Sequence, residues 1–385
     1  FVLLINFRVI PIKTIVIFTT DAFSLTNFRG KLIEELVMRS HKVHTIAPDF
    51  DAKTRAKLAE LGATTHDCYF DRTGTKIFGD LKASFHLYRL LRSLKADCIL
   101  SYFVKPVIYG TICGFFAGIQ HRVAMIEGLG SVFSPSQKRL DVRKRVRLGL
   151  VTKMYKLALV LAARVIFLNQ DDINEFSSRG ILNPKNASLL GGIGVDLAEW
   201  VNTKSTKNPV TFILSARLLR EKGVVDFVDA AKKVKAIYPE TRFILLGGLD
   251  PNPSSLSLDE VAGWARSGVI EWPGHVEVKP WLAQSSVFVL PSYYREGIPR
   301  SSQEALAMSL PIITTDSVGC KETVVNGVNG YLVPVKNVEA IVEKMLLFVK
   351  NPDLIVEMGK QSRIIAEQKF SEKDKIIAQL QFLKC

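Results

Sequence analysis

The sequence predicts an α/β protein built from two Rossmann-like domains facing across a deep cleft, and three observations carry that expectation. At 385 residues the chain exceeds what one hydrophobic core usually organises and suits two domains of ~150–200 residues. Short β-branched runs alternate with longer amphipathic segments, the pattern of a parallel sheet covered by helices on both faces. That rhythm begins near residue 15 and restarts after residue 205.

In the first half, Ile15–Phe18 reads as a strand, Arg29–Arg39 as a helix and Lys42–Ala47 as a strand. A helix over Lys82–Lys95 and strands over Cys98–Tyr102 and Val123–Ile126 follow. The apolar Ile12–Phe18 runs into Thr19-Thr20-Asp21 without a small-residue cleavage site, so it reads as a buried strand and not as a signal peptide. In the second half, Thr211–Ser215, Phe243–Leu246, Val287–Leu290 and Ile312–Thr314 are buried-strand runs. Helical patterns at Val224–Ile237, Ser301–Met308 and Val338–Val349 separate or follow them. The polar stretch Val201–Pro209 marks the boundary, giving domains 1–200 and 201–385 with the last helix crossing back. Open α/β sheets bind ligands beyond the carboxyl ends of their strands, so the site is expected between the domains.

Hydrophobic residues make up 48% and charged residues 23%, an ordinary globular composition. The net charge of +14 is uneven: residues 1–200 carry 28 basic against 17 acidic side chains, and the remainder 23 against 20. Only the first domain is therefore expected to meet an anionic partner, be it nucleic acid, an anionic membrane or a phosphorylated substrate. The five cysteines are scattered and never spaced as CxxC, which excludes a disulfide scaffold or a cysteine zinc site and fits a reducing cytoplasm. Apolar runs such as Leu157–Leu168 are too short to span a bilayer and are interrupted by Arg164.

Four segments carry candidate chemistry. In Pro291–Ala305, Arg300 or Ser301 would occupy the first turn of a helix, where free N–H groups and the helix dipole attract anions. Glu296 precedes that turn and Glu304 follows eight residues later, so both can face one cleft; a dipole-favoured Glu and a solvated Glu are the plainer alternative. Arg217 and Lys222 follow the strand Thr211–Leu214 and are placed to neutralise a diphosphate, with Gly223 opening the next helix. Gly247 and Gly248 end a strand and would let a base or ribose approach the backbone. Gly191-Gly192-Ile193-Gly194 suits a hinge or a backbone contact to phosphate.

Together these segments resemble the retaining GT-B glycosyltransferases of family 4. The matches are the E-x7-E pair in REGIPRSSQEALAM, the following LPIITTDSVGCKETVVNGVNGYLVP, SARLLREKG, the GVDL after a glycine turn, and the strand-end GG. The resemblance spans essentially the whole chain and is nearest to bacterial transferases that extend lipid-linked surface oligosaccharides. It implies a donor domain in the second half and an acceptor domain in the first. Arg217 and Lys222 would bind the diphosphate and stabilise the leaving nucleotide. Glu296 would accept hydrogen bonds from the donor sugar, lined by Gly297, Ile298, Pro299 and Arg300. Glu304 would hold the ribose, and His275 and Val276, after Gly274, the base. No metal-binding DxD motif joins two strands, and no cofactor beyond the sugar nucleotide, UDP-linked for preference, is expected.

The resemblance places the acceptor near Thr26, Asn27, Arg29 and Gly128. Family members often carry a glycine-rich loop after strand one, of which only Gly30 remains. Many also carry a histidine where this chain has Glu127, which could act as a base toward the acceptor or stabilise an oxocarbenium ion. A strand-end Glu satisfied by N–H groups is the alternative. The basic stretch Lys138, Arg139, Arg143, Lys144, Arg145 and Arg147 alternates with Leu and Val, as in segments that lie on anionic membranes. No aromatic-interleaved nucleic-acid motif accompanies it. The expectation is a sugar transferase, peripheral on the inner face of the cell membrane, acting on a polyprenyl-diphosphate-linked saccharide. A sugar-nucleotide epimerase of the same fold, or a non-catalytic nucleotide-sugar-binding subunit, are the competing readings.

Overall fold

A computed structural model describes residues 12–70, 77–133, 142–201, 207–250, 252 and 254–384. The first half forms a seven-stranded parallel sheet of β1 (Thr14–Phe18), β2 (Lys42–Ala47), β3 (Thr64–Asp67), β4 (Cys98–Tyr102), β5 (His121–Ile126), β6 (Arg164–Phe167) and β7 (Ala187–Leu189), in the order β3-β2-β1-β4-β5-β6-β7. The second half forms a six-stranded sheet of β8 (Thr211–Ser215), β9 (Arg242–Leu246), β10 (Glu271–Gly274), β11 (Val287–Leu290), β12 (Ile312–Thr315) and β13 (Gly330–Val333), in the order β10-β9-β8-β11-β12-β13.

Both sheets place their most apolar runs in the middle. Ile15, Val16, Ile17 and Phe18 are wholly buried, as are Phe212, Ile213 and Leu214, because helices cover both faces of a parallel sheet. Phe212 and Phe243 stack across β8 and β9 with ring centroids 5.2 Å apart. The strands the sequence did not announce, β3, β6, β7, β10 and β13, are short and lie toward the sheet edges. Polar or turn-forming residues weaken the signal in β3 and β10, and β6, β7 and β13 offer runs of only three or four residues.

The segment after β1, expected as a loop, is the helix Ala22–Phe28. Its start is satisfied from a distance: the Ala22 amide donates to Asp49 Oδ1 at 2.8 Å. On one face of the first sheet the helices Ile77–Leu94, Thr111–Phe116 and Val142–Leu161 pack side by side. No described helix is long and apolar enough to cross a membrane.

The last helix, Glu372–Leu383, lies against the first sheet. His121 Nε2 sits 2.8 Å from the Phe382 carbonyl, and the Arg164 guanidinium lies over the Phe382 ring at 5.4 Å. The entry to that helix is pinned where Val195 exchanges backbone bonds with Phe370 and Glu372 at 2.9 and 3.0 Å. Gly194 has φ +81°, and a Cβ there would lie 2.7 Å from the Glu372 Cα. The glycine turn expected as a hinge or phosphate contact is therefore packed against the crossing helix, and Gln303 Oε1 accepts from the Gly194 amide at 2.9 Å.

Candidate active site in the interdomain cleft

The carboxyl ends of the two sheets face each other, and the sequence-predicted residues gather there in two sets. On the second domain, β8 leads into a short turn, Arg220–Lys222, closed by Gly223 at φ +74°. A Cβ on Gly223 would collide with the Pro291 carbonyl, so glycine is required where this turn meets the end of β11. The turn delivers Lys222 to the Glu296 carboxylate as an ion pair that is about nine-tenths buried. Ser292 Oγ stands 3.2 Å from Glu296 Oε1, and Lys222 Nζ lies 5.2 Å from the Tyr294 ring centre. Arg217 reaches Asp250 Oδ2 at 3.1 Å. Asp250 is held in turn by the Asn252 amide at 2.9 Å, on the loop after Gly247 and Gly248.

The helix Arg300–Ala307 begins directly after Pro299. Glu304 Oε1 accepts from Arg300 Nε at 3.2 Å, and burial pushes the Glu304 carboxyl up to about 7 despite that partner. Arg300 extends toward the first domain, with its guanidinium over the Phe28 ring at 5.6 Å. Ile298 is buried, and its carbonyl accepts from Gln303 Nε2 at 3.1 Å. His275 faces Gly248 and meets the exposed Phe23 edge to face, with ring centres 6.0 Å apart; Val276 packs partly buried beside it.

On the first domain, Glu127 follows β5 and forms an ion pair with Arg29. Arg29 is 1% exposed; it touches Met125 Sδ at 3.3 Å and lies 4.7 Å from the Tyr102 ring centre. Burial lowers its pKa to about 10, which leaves it charged at neutral pH. Arg29 was expected to face the acceptor, but it is covered and instead satisfies Glu127. Thr26 Oγ1 and Asn27 Nδ2 both bond the Phe23 carbonyl of their own helix, at 3.1 and 2.9 Å. Arg143, Lys144, Arg145 and Arg147 fall on the helix Val142–Leu161, whereas Lys138 and Arg139 lie outside the described residues.

The two sets touch through glycines. Gly128 has φ +97°, and a Cβ there would collide with the Gly297 amide; a Cβ on Gly297 would lie 2.9 Å from the Glu127 carbonyl. Glycine on both sides brings the end of β5 into backbone contact with the loop after β11. Sequence reasoning missed Asp250, Ser292, Asn169, Asp172 and Arg295. Asn169 and Asp172 carry a legible helix-start signal, but their partners lie in the other domain. Among the described residues, no group of three His, Cys, Asp or Glu side chains is placed to hold a metal ion.

Two parallel-sheet domains meeting strand end to strand end, with cations and carboxylates between them, form the GT-B architecture. The model of the glycosyl transferases group 1 family matches residues 199–365. An N,N'-diacetylbacillosaminyl-diphospho-undecaprenol α-1,3-N-acetylgalactosaminyltransferase of Campylobacter jejuni is 30% identical over 371 residues, covering 92% of this chain and 94% of its own length. A UDP-Gal:α-D-GlcNAc-diphosphoundecaprenol α-1,3-galactosyltransferase of Escherichia coli is 25% identical, covering 74% of each chain. Anabaena HepE in complex with UDP and glucose superposes with a TM-score of 0.75 at 16% identity, covering 97% of this chain and 99% of that one. The chain belongs to the group 1 glycosyltransferases.

The glycine contact yields a first prediction. Gly128→Ala both strains a left-handed backbone and forces the loop after β11 away from Glu127. Glycosyl transfer is expected to fall by at least about tenfold while the circular dichroism spectrum is retained. Normal turnover would show that this approach is unimportant.

Proposed function

We propose that this glycosyltransferase moves an N-acetylhexosamine or hexose from UDP to a polyprenyl-diphosphate-linked saccharide, in surface polysaccharide assembly, with retention of configuration and without a metal or other cofactor. The observation that carries the reading is the buried Lys222–Glu296 pair beside Arg217 at the mouth of β8. The names of the Campylobacter and Escherichia relatives supply the lipid-linked acceptor class.

In this reading the second domain, 201–385, holds the donor and the first, 1–200, the acceptor. Lys222 exchanges Glu296 for the diphosphate, and Arg217 joins it, so that the charge developing on the leaving nucleotide meets fixed cations. Glu296, released from Lys222, accepts hydrogen bonds from sugar hydroxyls, with Gly297, Ile298, Pro299 and Arg300 lining the sugar and phosphate. The N-terminus of the helix Arg300–Ala307 adds its free amides. Glu304 takes the ribose hydroxyls, and His275 and Val276 flank the base near Gly247 and Gly248. Glu127, held by its ion pair with Arg29, faces the acceptor hydroxyl, which attacks from the side the nucleotide leaves. Thr26, Asn27 and Gly128 border that approach.

Contact with the inner face of the cell membrane is part of the same proposal. The three adjacent helices of the first domain expose Leu81, Phe85, Phe115, Phe116, Leu157 and Val160. Their only acidic residue, Asp80, is buried and paired with Lys105 at 2.8 Å. Basic residues such as Lys82, Arg89, Lys153 and Lys156 on the same helices complement an anionic surface holding the polyprenyl chain.

The central test is a panel of UDP-sugars screened for thermal stabilisation and then for transfer to polyprenyl-diphosphate-linked saccharides. Transfer by the wild-type protein, with a loss of roughly a hundredfold or more in Glu296→Ala, is expected. Donor conversion without added lipid would instead favour an epimerase, and binding without turnover a non-catalytic subunit.

A pH dependence follows from Glu304. With its carboxyl near 7, the ionised form that ribose requires is scarce at pH 6 and dominant at pH 8. Affinity for an intact UDP-sugar is expected to rise roughly tenfold across that interval, and Glu304→Gln to flatten the rise. A wild-type profile as flat as the variant's would remove Glu304 from the ribose site. Separately, neutralising Arg143, Lys144, Arg145 and Arg147 together is expected to cut binding to vesicles containing anionic lipid by about tenfold or more. Undiminished binding would take the membrane role away from this helix.

A further inference from the structure

We propose that Asn169, Asp172 and Arg295 form an interdomain clasp that positions the donor loop Glu296–Gly297 and completes the active site only when the domains are closed. The inference rests on reading the cleft as the transfer site, and these residues act through Glu296 as positioning groups.

Asn169 ends the connection from β6 and starts the helix Gln170–Ser178. Its side chain is used at both ends. Oδ1 accepts from the Asp172 amide at 2.8 Å, capping the helix. Nδ2 then points across the cleft and donates to the Gly297 carbonyl at 2.7 Å, with the Glu296 carbonyl at 3.2 Å. Two successive carbonyls of the donor loop are thus bonded by a first-domain side chain that is 2% exposed. This fixes the peptide planes around Glu296, and with them the direction in which its carboxylate leaves the chain.

Arg295, the residue before Glu296, is anchored to the same helix. Its Nε donates to Asp172 Oδ1 at 2.9 Å and its Nη1 to Glu175 Oε2 at 3.2 Å. Its carbonyl accepts from the Gly130 amide at 3.2 Å, so the first domain holds this residue at both side chain and backbone. Lys321 adds a more exposed bridge to Asp171 at 2.8 Å. Asp172 is wholly buried, and burial pushes its carboxyl up to about 6 even with Arg295 beside it.

The physical consequence is a two-state element. The Asp172–Arg295 ion pair exists only when the domains are closed; in an open cleft Asp172 keeps Asn169 Nδ2, 3.1 Å from its Oδ2, and both charges turn to water. An arrangement with one of them buried alone is strongly unfavourable. Adjacent residues therefore carry adjacent tasks, Arg295 reporting closure and Glu296 using it.

The test uses the full chain with Asp172→Asn, which preserves shape, and with Arg295→Ala and Arg295→Lys. Transfer kinetics, UDP affinity by calorimetry and the radius of gyration by small-angle scattering are measured for each. Asp172→Asn and Arg295→Ala are expected to lower kcat by about tenfold or more and to leave UDP affinity within about threefold, because Arg217, Lys222 and Glu304 are untouched. Both are expected to be more expanded than the wild type at saturating UDP, and Arg295→Lys to recover part of kcat. Unchanged kcat and compactness in folded variants would overturn the clasp. So would a parallel fall in UDP affinity and unfolding temperature, which marks a merely structural role. If the wild type transfers no sugar but the scattering difference persists, the reading of the site fails and the clasp stands.

Discussion

The cleft depends on one close approach, that of the end of β5 to the loop after β11, backbone against backbone. Gly128 and Gly297 stand on the two sides, and neither side tolerates a Cβ. Glu127, Glu296 and the start of the helix Arg300–Ala307 owe their proximity to that contact. Gly319 extends the constraint behind the loop: its φ is +79°, and a Cβ there would collide with the Gly297 carbonyl. The loop after β11 is thus pressed between the first domain and the turn that follows β12. Backbone held from both sides leaves the Glu296 carboxylate little freedom to wander.

Around that contact, charged side chains are paired with one another. Lys222 is neutralised by Glu296, Arg217 by Asp250, Glu304 by Arg300 and Glu127 by Arg29. Burying such charges alone would be costly, and each is matched by a partner within the chain. Substrate binding on the proposed reading substitutes partners and adds few new charges. The diphosphate replaces Glu296 at Lys222, and sugar hydroxyls replace Lys222 at Glu296. Exchange of this kind keeps the site preorganised, because the cations that stabilise the leaving group are ordered before it develops charge.

What was legible in the sequence follows from the range of the interactions involved. Central strands announce themselves because burial on two faces demands unbroken apolar runs, as in Ile15–Phe18 and Val287–Leu290. β3 at one sheet edge reads Thr64-Thr65-His66-Asp67 and gives no such signal. The helix Ala22–Phe28 was missed for a related reason, since Asp49, which accepts from its first amide, lies 27 residues away. Spacing exposed the Glu296 and Glu304 pair and the turn holding Arg217 and Lys222. It did not expose Asp250, 33 residues from Arg217, or Asn169, 128 residues from Gly297. The first contact exists only once β8 and β9 lie side by side, and the second only once the two domains meet. The burial of Arg29 is likewise a matter of long range, because Glu127 and Tyr102 reach it from the ends of β5 and β4.

The uneven charge of the chain acquires a structural meaning from the same bookkeeping. In the second half many basic side chains are answered nearby: Arg220 by Glu260, Arg242 by Glu271, Lys233 by Glu339 and Lys344 by Glu343. The helix Val142–Leu161 contains no acidic residue, so its positive charges have no partner available within it. Its neighbour Thr111–Phe116 offers none either, and Ile77–Leu94 offers only Asp80, already engaged by Lys105. Cationic side chains grouped this way repel one another and raise the energy of the folded domain unless an external anion compensates. A surface that is anionic and apolar at once satisfies both the cations and the exposed Phe85, Phe115 and Phe116. That supports the membrane reading over nucleic acid, which would leave the exposed faces of those phenylalanines in water.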